Sequence, residues 1–328
     1  MRGPIGCGAG VLVLSACVAL WLGGVLVTHW FGERAKAEAM ALQLEGQCSE
    51  AIPRFERIAR QYSHLARWAE DQLVLCEHLV TADQARDTAR WTDAVRAYRL
   101  TADLSVGQPF EIVPLGRLAN LQAIARADAT TLEACRGIAI LDAFRAEGVP
   151  LAPEAEETIP TAIFQCGRAS DNANNYRMAA DMYARLLAEY PGHSSAAEAR
   201  RLRIDAEIND AFGKPAGELP PPRASGPGRA GVVTLEIVND SPAALELFFS
   251  GPTSDSIVLD PCPTCPRYPS VGPPSCPNRG PRQTITLPPG TYRVHARSRS
   301  QTSVTPYTGT WNLTVGTRYA ECYFIVQR

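Results

Sequence analysis

Three patterns of apolar spacing divide this chain of 328 residues. The first is continuous. No formally charged side chain occurs from Gly3 to Gly32, and Val11 to Val27 is dense in Val, Leu, Ala and Trp. Because about 20 apolar residues cross a bilayer core, residues 8–30 are expected to form a transmembrane signal anchor. The second pattern runs from Glu33 to Phe212, where apolar residues recur at i, i+3 and i+4 among Ala, Leu, Arg and Glu, the spacing of packed amphipathic helices. The third begins at Val232, where apolar and polar positions alternate. It predicts strands over Val232–Val238, Ala244–Ser250, Ser256–Leu259, Gln283–Leu287, Thr291–Arg297, Tyr307–Val315 and Tyr319–Val326, a set that reads as a sandwich or barrel.

Between the last two patterns, Gly213–Gly231 is too rich in Pro and Gly for a helix or strand and is expected to be a semi-extended linker. The predicted fold class is therefore α+β multidomain. It comprises an N-terminal transmembrane helix at 8–30, an all-α helical-repeat domain at 33–212, the linker at 213–231 and a β-sandwich-like domain at 232–328.

Flanking charges orient the anchor. Secretory apolar regions run about 7–15 residues and end in a small-residue cleavage site, whereas this stretch is longer and Ala35-Lys36-Ala37 falls among charges. Arg2 lies on one side, and Glu33, Arg34, Lys36 and Glu38 cancel on the other, so the positive-inside rule leaves the N-terminus cytoplasmic and the domains extracytoplasmic. A competing reading is that Leu14-Ser15-Ala16-Cys17 resembles the lipobox of bacterial lipoproteins, with anchoring at Cys17. The apolar run Val18 to Val27 stands where a polar tether is usual, which favours the uncleaved helix. Both readings place the domains on the outer face.

Within the helical region a short motif recurs. Ala51 precedes Phe55, Ala94 precedes Tyr98, and Ala179-Ala180 precedes Tyr183; the small residue admits a neighbouring helix and the aromatic fills the remaining groove. Tyr176, Ala180, Tyr183 and Tyr190-Pro191-Gly192 resemble the tetratricopeptide repeat. Ala51 and Ala94 lie 43 positions apart, against about 34 in that family, so the resemblance is degenerate. It implies stacked helix pairs that bind a peptide or protein partner.

Cysteine positions add a framework. Cys48 and Cys76 centre on residue 62, beside Ser63, and Cys135 and Cys166 centre between Pro150 and Leu151. Both pairs are expected to staple helical hairpins, each closing a loop worth roughly 3–4 kcal/mol, with free buried thiols as the alternative; Cys76 and Cys135 also centre near the turn at Gly107, but a helix break expected around Thr81 to Asp83 stands against that pair. Cys262, Cys265, Cys276 and Cys322 fall in the β region. Structural disulfides are expected there, paired Cys262 with Cys322 and Cys265 with Cys276. A zinc site on all four and redox chemistry at Cys262-Pro-Thr-Cys265 are the rivals. Pro288-Pro289-Gly290 turning into Thr291-Tyr292-Arg293-Val294 is similar to many bacterial extracytoplasmic β modules.

Charge and motif content narrow the function. With 34 acidic against 32 basic residues, net −2, no global positive field draws the chain to nucleic acid. Neither a nucleophile elbow nor a zinc-protease, phosphate-loop or dinucleotide motif occurs, so no catalytic group, cofactor or metal is expected. His29, His64, His78, His193 and His295 are read as surface or packed residues, and Glu156-Glu157 as helix N-terminal charge. Tyr307, Trp311, Tyr319 and Tyr323 offer a possible sugar-stacking face. The expectation is a non-enzymatic, membrane-anchored extracytoplasmic protein that binds a protein or peptide partner. Carbohydrate or cell-wall binding through the β region is the alternative.

Overall fold

A computed structural model describes residues 27–269, 272, 273, 275–299 and 305–327. Most of the expected anchor, and Cys17 with it, lies outside the described residues, and no helix among those described is long and apolar enough to cross a membrane. Helices come first and sheets second, an α+β order. The helices are α1 over 27–44, α2 (Cys48–Gln61), α3 (Ala66–Asp87), α4 (Trp91–Leu104), a 3-10 turn (Pro109–Glu111), α5 (Ile112–Asp128), α6 (Ala134–Ala146), α7 (Pro153–Glu157), α8 (Ile159–Asn172), α9 (Tyr176–Glu189) and α10 (Ala196–Phe212).

The chain divides into two compact units, and the division differs from the expected boundary. One unit holds residues up to 127 with 136–157; the other holds 128–135 with everything from 158 onward. In the first unit, α2 buries Cys48, Ala51, Phe55 and Ile58 on one face, the spacing an amphipathic helix needs. Ala94 and Tyr98 of α4 are fully buried. Tyr98 Oη donates to Asp83 Oδ1 at 2.5 Å, and Asp83 also pairs with Arg86 at 2.9 Å and Arg117 at 3.5 Å. This network ties α3, α4 and α5 together; burial, then the Asp83 bond, raises the Tyr98 phenol pKa above its ordinary range.

The second unit begins its helical part with α8 and α9. Gly167 of α8 faces the ring of Tyr183 so closely that a Cβ there would sit 2.6 Å from Cε1. Only glycine lets the aromatic of the recurring motif lie against the preceding helix. Asn175 caps α9, its side chain accepting from Met178 N–H at 3.4 Å.

The strands are β1 (Gly217–Glu218), β2 (Arg223–Pro227), β3 (Val233–Asn239), β4 (Leu245–Ser250), β5 (Asp255–Leu259), β6 (Tyr268–Pro269), β7 (Arg282–Leu287), β8 (Gly290–Ser298), β9 (Tyr307–Leu313), β10 (Thr317–Tyr323) and β11 (Val326–Gln327). They form a five-stranded sheet ordered β1-β9-β8-β4-β5, a four-stranded sheet ordered β2-β10-β3-β7, and the pair β11-β6. Val233, Leu235 and Ile237 of β3 share one core with Leu247, Phe249, Tyr292, Val294 and Trp311 of the larger sheet, so the two sheets bury their apolar faces against each other.

Strand β4 breaks the alternation, being buried on both faces from Leu245 to Phe249. Helix α10 covers its second face: Ile204 and Ile208 pack on Phe248, while Asp205 Oδ1 accepts from the hydroxyls of Ser250 at 2.7 Å and Ser254 at 2.8 Å. This packing is why α10 belongs with the sheets rather than with a separate all-α domain ending at residue 212. The expected linker is also corrected. Gly217 and Glu218 pair in parallel with Tyr307 and Thr308, and Arg223 to Pro227 pair antiparallel with β10. Pro227 is tolerated because β2 is an edge strand.

Candidate functional site

In the first unit, α1, α3 and the segment after α4 enclose a groove of about 590 Å³. Its wall combines two kinds of side chain. Leu44, Val74 and Leu104 line it and are at least one-third exposed, an apolar surface left open to solvent. Beneath them runs a line of amides: Gln43 Nε2 donates to Gln72 Oε1 at 3.0 Å, and Gln72 Nε2 reaches Gln108 Oε1 at 3.5 Å. Gln43 and Gln72 are buried, so their amide groups are held in place by the helices that carry them, and each amide has further hydrogen-bonding capacity.

Among the described residues lining the groove, Asp71 is the one that carries a charge. Trp68 stands at one side, edge-on to Phe55 at 5.6 Å, with Lys36 Nζ 4.9 Å above its ring. Apolar walls with a few oriented polar groups are what a binding cleft needs. The neutral amides suit a peptide backbone, which offers both donors and acceptors. Periodicity makes the helices legible, but nothing in the linear order joins residues 43, 72 and 108, so the amide line has no signature in the sequence.

The cysteines occupy two settings. Cys48 bonds to Cys76, with Cα atoms 5.0 Å apart, and Cys135 to Cys166, 4.5 Å apart; these are the two hairpin staples expected from the sequence. In the β region the structure bonds Cys262 to Cys265 and Cys276 to Cys322, a correction to the expected Cys262–Cys322 and Cys265–Cys276. The residues around Cys262 close into a turn, with Cys265 N–H donating to Cys262 O at 3.0 Å and Cys262 N–H to Ser241 O at 2.8 Å. That turn brings the first two sulfurs together and leaves Cys276 beside the end of β10. Asp240 organises the second pair: its buried carboxylate accepts from the N–H groups of Arg279 at 2.8 Å and Gly280 at 2.6 Å, and Cys322 and Cys276 Sγ lie 3.2 and 3.6 Å from Oδ2.

Both Cys262 and Cys265 are buried and sit in a turn rather than at a helix N-terminus, an arrangement that lacks the accessible, stabilised thiolate of redox sites. The expected aromatic face is only partly assembled. Trp311 and Tyr319 are in the core, whereas Tyr307 and Tyr323 line a second concavity of about 560 Å³, with Phe324, Arg223, Glu236 and Glu321. Burial raises the Glu321 carboxyl pKa above its usual value and the Tyr323 phenol well above its own.

No family model, curated protein or solved structure matches this chain. The groove, the disulfides and the β concavity therefore carry the functional reading by themselves.

Proposed function

We propose that this protein is a membrane-anchored, extracytoplasmic, non-enzymatic scaffold whose tetratricopeptide-like helices bind an extended segment of a protein or peptide partner. The groove of Leu44, Val74 and Leu104 over the Gln43–Gln72–Gln108 amides carries the reading. Apolar walls take the partner's side chains, and the amides take its backbone. The four disulfides support an oxidising compartment, and the uncharged stretch before Gly32 supports an N-terminal helix as the anchor. The sandwich-like β region, fastened to α10, then serves as a rigid module beside the last helices.

A photocrosslinking residue in place of Val74 tests this in intact membranes, with the same residue at exposed Leu132 as control. A discrete adduct from position 74 that is absent from position 132, and lost on Gln72→Glu, is the expected result. Equal labelling at both positions overturns the reading.

The second reading, carbohydrate binding, is favoured by one observation: Tyr307, Tyr323 and Phe324 share a concavity with Glu321 and Glu236, and aromatic faces with carboxylates suit sugar rings and hydroxyls. Polysaccharide pull-down that is lost on Tyr307→Ala while Val74 adducts stay absent shifts the assignment to this site.

A further inference from the structure

The structure brings together His29, Glu33 and the more distant His64, three side chains of types able to ligate a metal ion. His29 and Glu33 are four apart on α1, hence on one face, and His64 reaches the same spot from the connection between α2 and α3. One ligand atom from each lies within 4.8 Å of the other two. The imidazole rings of His29 and His64 stack, with centroids 4.7 Å apart and planes 11° from parallel.

The α2–α3 connection touches α1 at a residue without a side chain. A Cβ on Gly32 would meet His64 Cε1 and Tyr62 Cδ1, each at 3.1 Å, so Gly32 allows the approach that places His64 beside His29 and Glu33. All three ligand residues are exposed, so core packing does not account for their convergence. Glu33 also pairs with Lys36 at 3.7 Å, a surface pair of the kind that contributes little.

We propose that His29, Glu33 and His64 bind a divalent first-row transition metal ion of the zinc class. Two neutral imidazoles and one carboxylate are a ligand set such ions favour. A tetrahedral ion with bonds of about 2.0–2.1 Å holds its ligands roughly 3.4 Å apart, so binding requires the exposed, stacked rings to rotate until both in-plane nitrogen lone pairs face the ion, with the ligand atoms closing by about an ångström. The remaining coordination positions face solvent. Bound there, the ion clamps α1 to the first helical hairpin.

The test is titration of the full chain, solubilised in detergent and stripped of metal, with CoCl2 followed by visible d–d absorption. A saturable band at one equivalent, displaced by ZnCl2, is expected. His29→Ala or His64→Ala abolishes it, Glu33→Gln weakens it, and His193→Ala leaves it unchanged. Gly32→Val keeps all three ligands while displacing the α2–α3 connection, and is expected to weaken cobalt binding by about 10-fold or more. The proposal is overturned if no saturable band forms, or if the band survives the combined His29→Ala and His64→Ala substitution.

Discussion

Arg297 on β8 and Glu207 on α10 form a two-pronged ion pair, at 2.7 Å between Nη1 and Oε2 and 3.3 Å between Nη2 and Oε1. The same guanidinium holds Glu246 of β4 at 2.9 Å and lies 4.8 Å over the ring of Phe248. Burial works against its charge, yet the two carboxylates outweigh burial and raise the Arg297 pKa above its ordinary value. The pair fastens the last helix to the sheet where Ile204, Ile208 and Phe248 supply the apolar contact.

Removing Arg297 is therefore worse than removing Glu207. Arg297→Met leaves the buried Glu246 carboxylate without its closest cation, since Arg203 stands at 4.0 Å, and should cost about 3 kcal/mol. Glu207→Gln keeps the Arg297–Glu246 contact and should cost about 1 kcal/mol. Chemical denaturation followed by near-ultraviolet dichroism compares the two; equal losses contradict this ranking.

His295 gives the same region a pH dependence. Its ring is buried and stacked on Phe248 at 5.8 Å, with Nδ1 3.3 Å from the Tyr307 carbonyl. Burial lowers its pKa below the usual value, opposed by the Tyr307 carbonyl and reinforced by Arg297, with Glu246 and Asp210 acting the other way. The unfolded chain therefore takes up this proton first, near pH 6.5. The stability supplied by the neutral ring is complete above that pH and is lost as pH falls through the lower folded value. Unfolding midpoints should drop from pH 7 to pH 5.5, and His295→Gln should flatten that part of the profile. An unchanged slope in the variant removes His295 as the cause.

Much of the secondary structure was legible because periodicity reports burial on one face. Ala51 with Phe55, Ala94 with Tyr98, and Ala179 with Tyr183 read as small-plus-aromatic helix contacts, and these residues are buried. The alternation from Val232 likewise marks β3, whose register with β7 and β10 buries Val233, Leu235 and Ile237. Contacts made by edges and by distant residues were illegible. Gly217 to Pro227 reads as a linker because edge strands tolerate Pro and Gly, and α10 gives no sign in its own sequence that Phe248 and Arg297 await it. The groove amides and the His29–Glu33–His64 cluster fail for the same reason: each is a meeting of elements rather than a local spacing.

The disulfide pairing can be read from peptide masses. Trypsin cutting after Arg229, Arg267, Arg279 and Arg318 places Cys262 and Cys265 on one peptide, Cys276 on a second and Cys322 on a third. The observed pairing joins the second peptide to the third and leaves the first unlinked but oxidised. The alternative pairing, Cys262 to Cys322 and Cys265 to Cys276, joins all three. On loop-closure entropy, serine at both Cys276 and Cys322 should cost about 4 kcal/mol and serine at both Cys262 and Cys265 about 2 kcal/mol, because the first bond spans 46 residues and the second 3.

Two helical glycines should respond to alanine with opposite sign. Gly116 lies exposed in α5, and a Cβ there meets nothing within 4 Å. Gly116→Ala therefore reduces unfolded-state freedom without a clash and should stabilise by about 0.4–1 kcal/mol. At Gly167 the same methyl would stand 2.6 Å from Tyr183 Cε1 and 2.8 Å from Cδ1. Tyr183 is fully buried beside Phe164, with ring centroids 6.0 Å apart, so its ring cannot swing into solvent and α8 must move away from α9. Overpacking of this kind costs about 1–3 kcal/mol. The double variant Gly167→Ala with Tyr183→Leu should recover part of the loss, because the smaller side chain vacates the space the methyl needs. If Gly167→Ala alone is neutral in a denaturant titration, the helix pair is looser than this contact requires, and the aromatic is not what sets the spacing of α8 and α9.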